Sequence, residues 1–239
     1  MDFQIITLDQ CARASGVVVV IDVCRAFTTA AFAFAAGARQ ILLVSTVEEA
    51  VDWKVRLPGS LTLGEVGGLP VEEFDFWNSP AEIRKQDLTG RLLIQRTSSG
   101  TQGMILSSQA GERFAGSFVV AGATVNALRQ LNPPQVTFVN TGARWNAQAG
   151  AYTGGEEDRA CAEYMIALLQ DQNVSPSGYL GWVKETAGDL SRLDPSLEQR
   201  FKADIECCQQ VDTFNFGMQA SYTALDGETV TVLNPVFAS

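Results

Sequence analysis

Asp22 and Arg25 form the sharpest chemical motif in the sequence, because they flank the point where a buried strand is predicted to meet a helix. Asp22 directly follows an apolar run at residues 17–21, and Arg25 precedes an alanine-rich stretch. A carboxylate at the end of a buried strand is a good ligand for a hard cation. An arginine entering a helix can bind phosphate or carboxylate, because its guanidinium and the nearby backbone N–H groups all donate. The pair predicts either an anion-binding site with a metal or an ordinary structural Asp–Arg ion pair.

A hydroxyl-rich turn at residues 96–101, with the sequence Arg-Thr-Ser-Ser-Gly-Thr, precedes a predicted helix. Small residues and hydroxyls let backbone N–H groups approach a phosphate at the positive end of a helix. The turn lacks the G-x-x-x-x-G-K-[ST] spacing of a nucleotide-binding P-loop. It predicts a phosphate-binding turn of another kind, and the alternative is a Ser/Thr helix cap that binds no ligand.

Carboxylates recur at two further glycine-rich places. Glu65 lies in the run Gly-Glu-Val-Gly-Gly that starts at residue 64, and Glu157 and Asp158 follow the glycine pair at residues 154–155. Acidic residues at the start of a helix also suit the helix dipole without any ligand. Glu157 and Asp158 therefore either belong to the helix start alone or point back towards a metal, and Glu65 taken alone would be an ordinary turn residue.

The composition removes several classes of function. The chain has no histidine, which excludes Ser-His-Asp triads, Cys-His dyads, histidine-ligated zinc or haem, and phosphohistidine intermediates. A formal net charge of -10 disfavours nucleic-acid binding, because phosphate backbones would be repelled. Chemistry must then come from carboxylates, hydroxyls, Arg, Lys, Cys or a metal held by oxygen ligands.

The five cysteines are odd in number and form no C-x-x-C pair, so we expect reduced, mostly buried thiols and no zinc site. Cys207 and Cys208 are expected to be structural. The longest nearly apolar stretch, at residues 26–38, is too short and too rich in Ala and Thr to span a bilayer. These features predict a cytoplasmic protein with no membrane or nucleic-acid partner.

Strand-like and helix-like segments alternate along the chain, and they must position these side chains. Short apolar runs predict strands at residues 17–21, 41–44, 61–63, 92–94, 118–120, 136–139 and 230–233. Periodic or capped segments predict helices at residues 26–36, 47–56, 101–109, 123–131, 156–170 and 195–211. Such alternation is typical of an α/β fold, here one domain over residues 1–239 with a mostly parallel sheet and helices on both faces. We expect three layers. Whether the domain has two lobes with a cleft between them is left open.

Ligands of parallel α/β sheets collect beyond the carboxyl ends of the strands. Asp22, Glu65 and the turn at residues 96–101 each follow a predicted strand, so we expect them at one edge of the sheet. Asp22 should then end a central strand within about 10 Å of Glu65, a generous limit for two carboxylates that share one Mg²⁺. The loop at residues 65–85 is long for a compact domain and is therefore a candidate functional loop.

Six short blocks together resemble the 2-phosphosulfolactate phosphatase family. They occur in the order of that family and extend over most of the chain: V-V-V-V-I-D-V-C-R-A-F-T-T from Val17, G-E-V-G-G-L-P from Gly64, F-D-F-W-N-S-P from Phe74, R-T-S-S-G-T from Arg96, G-G-E-E-D-R-A-C-A from Gly154 and D-I-E-C-C from Asp204. No single block identifies the family, and the resemblance is specific because all six blocks occur in the order of the family. The resemblance implies an α/β enzyme that uses Mg²⁺ to release phosphate from 2-phospho-3-sulfolactate, leaving 3-sulfolactate.

Under this hypothesis the predicted site residues divide into three groups. The expected metal ligands are Asp22, Glu65 and Asp158. The expected catalytic groups, with the choice of base among the carboxylates left open, are Asp22, Arg25, Glu65 and Glu157. The expected substrate-binding residues are Arg25, Thr28, Asn78, Thr97, Ser98, Ser99, Gly100 and Thr101. We expect the ligand to be a small phosphorylated anion. Whether the chain forms a homo-oligomer is left open.

Three departures separate this chain from the usual pattern of the family. Val66 stands where the family usually has an arginine, residues 97–100 replace a threonine-rich Asn-Gly segment, and Phe27 interrupts the usual run of threonines. The absent arginine would remove a phosphate or sulfonate contact. Two functions therefore remain: a Mg²⁺-dependent phosphatase, with or without an aspartyl-phosphate on Asp22, and a non-catalytic protein that binds a small anionic metabolite.

Overall fold

The computed structural model describes residues 1–186 and 194–237. The strands are β1 (Asp2–Thr7), β2 (Gly16–Ile21), β3 (Gln40–Leu43), β4 (Leu61–Gly64), β5 (Phe76–Trp77), β6 (Leu92–Arg96), β7 (Ala110–Gly116), β8 (Gln135–Asn140), β9 (Arg144–Asn146), β10 (Ala151–Thr153), β11 (Phe216–Leu225) and β12 (Glu228–Phe237). The helices are α1 (Ala26–Ala35), α2 (Val47–Arg56), α3 (Pro80–Ile83), α4 (Gly100–Leu106), α5 (Ala121–Leu131), α6 (Glu156–Leu169) and α7 (Glu198–Cys208). Residues 181–186 are also helical, and short 3₁₀ segments cover Leu8–Arg13, Phe118–Val120, Pro176–Gly178 and Pro195–Leu197.

Ten of these strands form one sheet in the order β1-β8-β2-β7-β11-β12-β3-β6-β4-β5. Two parallel groups, β1-β8-β2-β7 and β3-β6-β4-β5, lie on either side of the antiparallel hairpin β11–β12. β9 and β10 form a separate small hairpin. The predicted α/β fold with a mostly parallel sheet is therefore confirmed, although the hairpin in the middle of the sheet was not predicted.

This central hairpin reverses the strand direction between the two parallel groups, because β7, β11, β12 and β3 pair antiparallel in succession. In a flat sheet the carboxyl ends of β2 and β4 would lie at opposite edges, so the expectation of one shared edge needs correction. Neighbouring strands twist by about 20–25°, and this twist accumulates to roughly 100–125° over the steps from β2 to β6. A twist of this size allows the segments that follow β2, β4 and β6 to meet, and residues from all three line one cavity.

The strand β2 packs on both faces, as its unbroken apolar sequence predicts. Val18 and Val20 belong to the core around α1, whereas Val17 and Val19 belong to the core formed with α5 and α6. Residues 26–34 of α1 are all buried. Helices therefore pack on both faces of this part of the sheet, and the strand end that carries the predicted site is held between two cores.

Four predicted elements differ from the observed ones, and one of them is the helix predicted at residues 195–211, where the α-helix covers Glu198–Cys208. Residues 118–120 form a 3₁₀ turn rather than a strand, since three fully buried apolar residues suit either structure. The helix predicted at residues 101–109 ends at Leu106, and the chain then enters β7. The strand predicted at residues 230–233 is the middle of the longer β12. Across the described ranges no helix is both long and apolar enough to cross a membrane.

Candidate active site

A cavity of about 280 Å³ lies where the segments that follow β2, β4, β5, β6 and β8 converge. Its volume is just below the usual range for ligand pockets, about 300–1,000 Å³. The residues that line it are Asp22, Cys24, Arg25, Glu65, Gly67, Gly68, Asn78, Ser98, Ser99 and Arg144. Residues from four of the six motif blocks thus meet at one place. A larger cavity of about 490 Å³, beside β1, contains none of the predicted site residues.

Asp22 directly follows β2, which has a strand on each side, so its predicted position at the end of a central strand is confirmed. The residue is only 6% exposed, and its Oδ1 accepts the backbone N–H of Ala26 at 2.9 Å. Burial, followed by the negative charge of Glu65, raises the pKa of Asp22 to about 6 against the lowering effect of the Ala26 N–H. A carboxyl group with this pKa can exchange protons near neutral pH, as a general acid or base must.

Glu65 organises the loop that carries it. Its carboxylate accepts the backbone N–H groups of Gly68 and Ser98 at 2.5 Å each and the Ser98 hydroxyl at 3.1 Å. Gly64 precedes it with a φ of 154°, and a Cβ there would stand 1.9 Å from the carbonyl oxygen of Arg96. Glycine at this position lets β4 lie close to β6 and holds Glu65 in one orientation at the cavity wall.

Arg25 is buried and pairs with Asp204 rather than with Asp22. Its Nη1 donates to Asp204 Oδ2 at 2.7 Å, and its Nη2 donates to the carbonyl oxygen of Gly68 at 3.0 Å. Its guanidinium carbon lies 4.1 Å from the ring centroid of Trp77, within cation–π distance. Asp204 is itself fully buried. The Asp22–Arg25 ion pair that the sequence left open is therefore not formed, and Arg25 pairs instead with Asp204, a partner that the sequence analysis missed.

The hydroxyl-rich turn divides into two parts. Ser98 and Ser99 line the cavity. Thr97 and Thr101 bond to each other, since the Thr97 N–H donates to Thr101 Oγ1 at 2.8 Å and the Thr101 N–H donates to Thr97 Oγ1 at 3.1 Å. Thr28 is buried within α1 and donates to a backbone carbonyl oxygen at 2.8 Å. The structure thus places Thr28, Thr97 and Thr101 in local capping and packing bonds, away from the lining of the cavity.

Glu157 and Asp158 lie in the first turn of α6, behind the cavity wall. Asp158 accepts the backbone N–H of Val23 at 2.8 Å and that of Gly142 at 2.9 Å, so it ties the segment after β2 to the loop after β8. Glu157 accepts the Thr186 hydroxyl at 3.0 Å, and burial raises the pKa of Glu157 to about 7. Both side chains are buried and neither lines the cavity.

The predicted set of three carboxylate ligands is not brought together. Over residues 1–186 and 194–237, no group of three or more His, Cys, Asp or Glu side chains is placed to hold a metal. The reason is position: Asp158 lies behind the cavity wall, where it accepts the backbone N–H groups of Val23 and Gly142, and its side chain does not line the cavity. Asp22 and Glu65 remain as the two carboxylates that face one cavity.

Two further side chains complete the cavity wall. Asn78 was predicted for the site and is 3% exposed, and its Oδ1 has no hydrogen-bond partner among the described residues. A buried acceptor without a partner is uncommon, and among the buried atoms of this kind in the described residues Asn78 Oδ1 is the one that belongs to a residue lining the cavity. Arg144, in β9, was not predicted, because the only signal was the irregular stretch at residues 142–155 in which it lies.

Residues 5–220 match the model of the family described as 2-phosphosulpholactate phosphatase. The chain is 34% identical over 217 residues to a Bacillus subtilis (strain 168) protein named probable 2-phosphosulfolactate phosphatase, with 90% of each chain covered. The chain belongs to the 2-phosphosulfolactate phosphatase family. Proteins of the same name from Carboxydothermus hydrogenoformans and Thermotoga petrophila are 34% and 30% identical, over 82% of this chain in each case and over 82% and 85% of the relatives.

The region that matches the 2-phosphosulfolactate phosphatase family contains every residue that lines the cavity, and it also contains Asp204. It ends inside β11, so the second strand of the central hairpin lies beyond it. The resemblance inferred from the six motif blocks is therefore confirmed.

The close approach of α4 to Asp22 can be tested with Gly100→Ala. A Cβ on Gly100 would stand 2.8 Å from Asp22 Oδ2 and 2.9 Å from the Cβ of Ala26. Alanine usually stabilises a helix relative to glycine, but we expect this variant to lose about 1–3 kcal/mol of stability from overpacking. Urea denaturation measures the change. Gly178→Ala, at a position with nothing within 4 Å, is the matched control, and equal behaviour of the two variants would refute the close packing.

The buried carboxyl of Glu157 predicts a pH-dependent stability. Its pKa rises from an ordinary value near 4.5 to about 7, so between these values the folded chain binds a proton that the unfolded chain releases. The free energy of unfolding therefore falls as pH rises through this window. Glu157→Gln should match the wild type near pH 4.5 and exceed it by roughly 3 kcal/mol above pH 8.

Urea denaturation across this pH range, in metal-free buffer, measures the effect. Glu163→Gln, on the same helix but with a side chain 47% exposed, is the control and should show no comparable divergence. A Glu157→Gln curve parallel to the wild-type curve at all pH values would contradict the raised pKa.

Proposed function

We propose that this chain hydrolyses 2-phospho-3-sulfolactate to 3-sulfolactate and inorganic phosphate. The observation that carries the proposal is the convergence of Asp22, Glu65, Asn78 and the turn at residues 98–99 on one small cavity. This arrangement occurs in a chain whose relatives are named for the reaction. Catalysis of phosphoryl transfer consists mainly of positioning and charge stabilisation, which carboxylates, hydroxyls and backbone N–H groups can supply. We take the cavity to be the substrate cleft.

We propose Mg²⁺ as the cofactor, because the donor set of the cavity suits it. Asp22 and Glu65 line the same cavity, and the charge of Glu65 helps to raise the pKa of Asp22. Asp22 and Glu65 would hold a divalent cation, whose charge would relieve this repulsion. Mg²⁺ usually binds through one or two carboxylates together with substrate phosphate and water, so a third protein carboxylate is not needed. Bound there, the ion would neutralise negative charge on the phosphate.

Asp22 is the proposed general base. Water attacks the phosphorus atom, the bond between phosphorus and the C2 oxygen breaks, and that oxygen takes up a proton. Asp22 accepts the proton that the water loses on one side of the phosphorus atom, and the leaving oxygen on the opposite side takes its proton from solvent. Direct attack of Asp22 on phosphorus, followed by hydrolysis of the aspartyl-phosphate, is the alternative with the same atoms in place.

Arg25 and Asn78 are the proposed contacts to the phosphoryl oxygens. Two of the five N–H groups of Arg25 donate to Asp204 and to the Gly68 carbonyl, which leaves others for a ligand. Asn78 lines the cavity, so its Nδ2 group can donate to a phosphoryl oxygen, whereas its partnerless Oδ1 accepts from a bound water or suits a cation. The Asp204 pair and the Trp77 ring hold the guanidinium in place before the substrate arrives, which is the preorganisation that charge stabilisation requires.

We also propose a cytoplasmic location. All five cysteines fall within the described residues and are free thiols. Free thiols are usual in a reducing compartment, whereas extracellular domains more often pair their cysteines. Fractionation of cells that express the chain would test this, and recovery with an extracellular or membrane fraction would contradict it.

Phosphate release from a panel of phosphorylated hydroxy acids tests the proposed function. With Mg²⁺ present, we expect turnover of 2-phospho-3-sulfolactate above that of 2-phospholactate and 2-phosphoglycerate, and loss of turnover after chelation with recovery on adding Mg²⁺ back. Titration calorimetry with the same compounds measures whether they bind, independently of phosphate release. Tight binding of 2-phospho-3-sulfolactate without phosphate release would instead favour the non-catalytic binding protein.

A further inference from the structure

Of the two arginines that line the cavity, Arg144 is the one without a carboxylate partner among the described residues. Arg25 is already paired with Asp204 at 2.7 Å, and Asp22 and Glu65 are both acidic. Arg144 lines the same cavity, and within the described part of the chain no carboxylate lies within salt-bridge distance of its guanidinium. A substrate that carries an anionic group besides its phosphate would meet this charge.

The guanidinium of Arg144 is held at the mouth of the cavity. Its Nη1 donates to the carbonyl oxygens of Thr141 and Ala143, and its Nη2 donates to Ser99 Oγ at 2.7 Å. These bonds join the hairpin β9–β10 to the loop after β8 and to the hydroxyl-rich turn. A guanidinium fixed in this way loses less freedom when it binds an anion than a free one would.

Arg144 lies nearer to solvent than the groups that we assign to the phosphate. Asp22, Arg25 and Glu65 are 6%, 3% and 6% exposed, whereas Arg144 is exposed. The hairpin that carries it projects into solvent and is braced by Trp145 against Tyr152, with ring centroids 5.4 Å apart. A ligand whose phosphate reaches the buried carboxylates would therefore place its remaining charged groups towards Arg144.

We propose that Arg144 is a specificity-determining residue that binds the non-reacting anionic end of the substrate. The inference rests on the proposed function, because 2-phospho-3-sulfolactate carries a sulfonate and a carboxylate on the two carbons next to the phosphorylated one. Either group can take two parallel N–H donors from an arginine. Small phosphate esters without such a group would react without help from Arg144.

A cycle of two variants and four substrates tests this role. Arg144→Gln removes the charge, and Arg39→Gln, at an exposed position outside the cavity, is the matched control. The substrates are 2-phospho-3-sulfolactate, 2-phospholactate without the sulfonate, 1-sulfopropan-2-yl phosphate without the carboxylate, and isopropyl phosphate without either. We expect Arg144→Gln to raise KM for the first substrate by about 10- to 100-fold, as loss of a charge-assisted bond does, with little change in kcat.

The other substrates show which anion is bound. Contact with the sulfonate predicts that Arg144→Gln leaves 2-phospholactate unaffected, and contact with the carboxylate predicts that it leaves 1-sulfopropan-2-yl phosphate unaffected. Isopropyl phosphate should be insensitive to the variant in both cases. Equal losses on all four substrates, or no loss on the first, would overturn the proposal, because Arg144 would then act on the phosphate or only on the fold.

Binding of the product tests the role of Arg144 even if the proposed phosphatase activity is absent. If the wild type releases no phosphate from any substrate, the phosphatase assignment fails, but 3-sulfolactate can still be titrated by calorimetry. We expect the wild type to bind it about 10- to 100-fold more tightly than Arg144→Gln does, with part of the loss recovered in Arg144→Lys. Equal affinities, or no binding by the wild type, would overturn the role of Arg144. Matching circular dichroism spectra exclude misfolding as the cause of a difference.

Discussion

Asp22→Asn is expected to lower kcat on 2-phospho-3-sulfolactate by roughly 10²- to 10⁴-fold, the contribution typical of a general acid or base. Asparagine can still accept the Ala26 N–H that Asp22 Oδ1 accepts at 2.9 Å, so the start of α1 should keep its position. It can neither take up a proton at neutral pH nor supply a negative charge to a cation. Steady-state phosphate release at saturating substrate and Mg²⁺ measures the effect.

Stability separates a catalytic loss from unfolding in this variant. Burial raises the pKa of Asp22 to about 6 from 3.8, so its charged form costs stability above neutral pH and the asparagine variant should be no less stable than the wild type at pH 8. Asp52→Asn, whose side chain is 63% exposed, is the control for a lost surface carboxylate and should keep full activity. Wild-type kcat in Asp22→Asn would contradict the assignment of Asp22 as the base.

Breaking the buried pair between Arg25 and Asp204 is expected to have the largest effect on stability. Asp204→Asn leaves the Arg25 guanidinium without its salt-bridge partner at a place where the two side chains are 2% and 0% exposed. Removing one partner of a buried ion pair costs about 3–5 kcal/mol, because the other charge stays buried and unpaired. Urea denaturation measures this loss, and Asp226→Asn, whose side chain is 56% exposed in its pair with Arg56, is the control for a surface pair.

Arg25→Lys separates the catalytic role of Arg25 from its structural one. Lysine keeps the charge opposite Asp204 but lacks the planar fork that reaches a second acceptor. If Arg25 stabilises the phosphoryl group, kcat should fall on the order of 10²-fold while the protein stays folded. Unchanged turnover with a lowered thermal midpoint would show that Arg25 only supports the fold.

The polar groups at the strand ends were predictable because local sequence determines them. β2, β4 and β6 are short apolar segments that end at polar residues, and this pattern alone places Asp22, Glu65 and Ser98 just after strands. The order of the strands is not local information. The hairpin β11–β12 enters the middle of the sheet through pairings with β7 and β3, and a periodic pattern in one segment cannot reveal its distant partners.

The same limit explains which site residues were missed or misassigned. Asp204 lies 179 residues from Arg25 in the sequence, and nothing in its own helix indicates that it faces an arginine. Thr97 and Thr101 have the side chains of a phosphate-binding turn, but hydroxyls four residues apart can equally bond to each other, as they do here. Asp158 follows a glycine pair, which is compatible with a metal ligand, yet its side chain ties Val23 to Gly142 behind the cavity wall and does not line the cavity.

Release of inorganic phosphate from 2-phospho-3-sulfolactate, compared between the wild type and Asp22→Asn in the presence of Mg²⁺, tests most directly whether the cavity at Asp22 and Glu65 is a phosphatase site. We expect the wild type to turn over with a linear release of phosphate, and the variant to bind the substrate while releasing phosphate at least about 10²-fold more slowly. Equal rates in the two proteins, or no release by a wild type that binds the substrate, would contradict hydrolysis at this cavity.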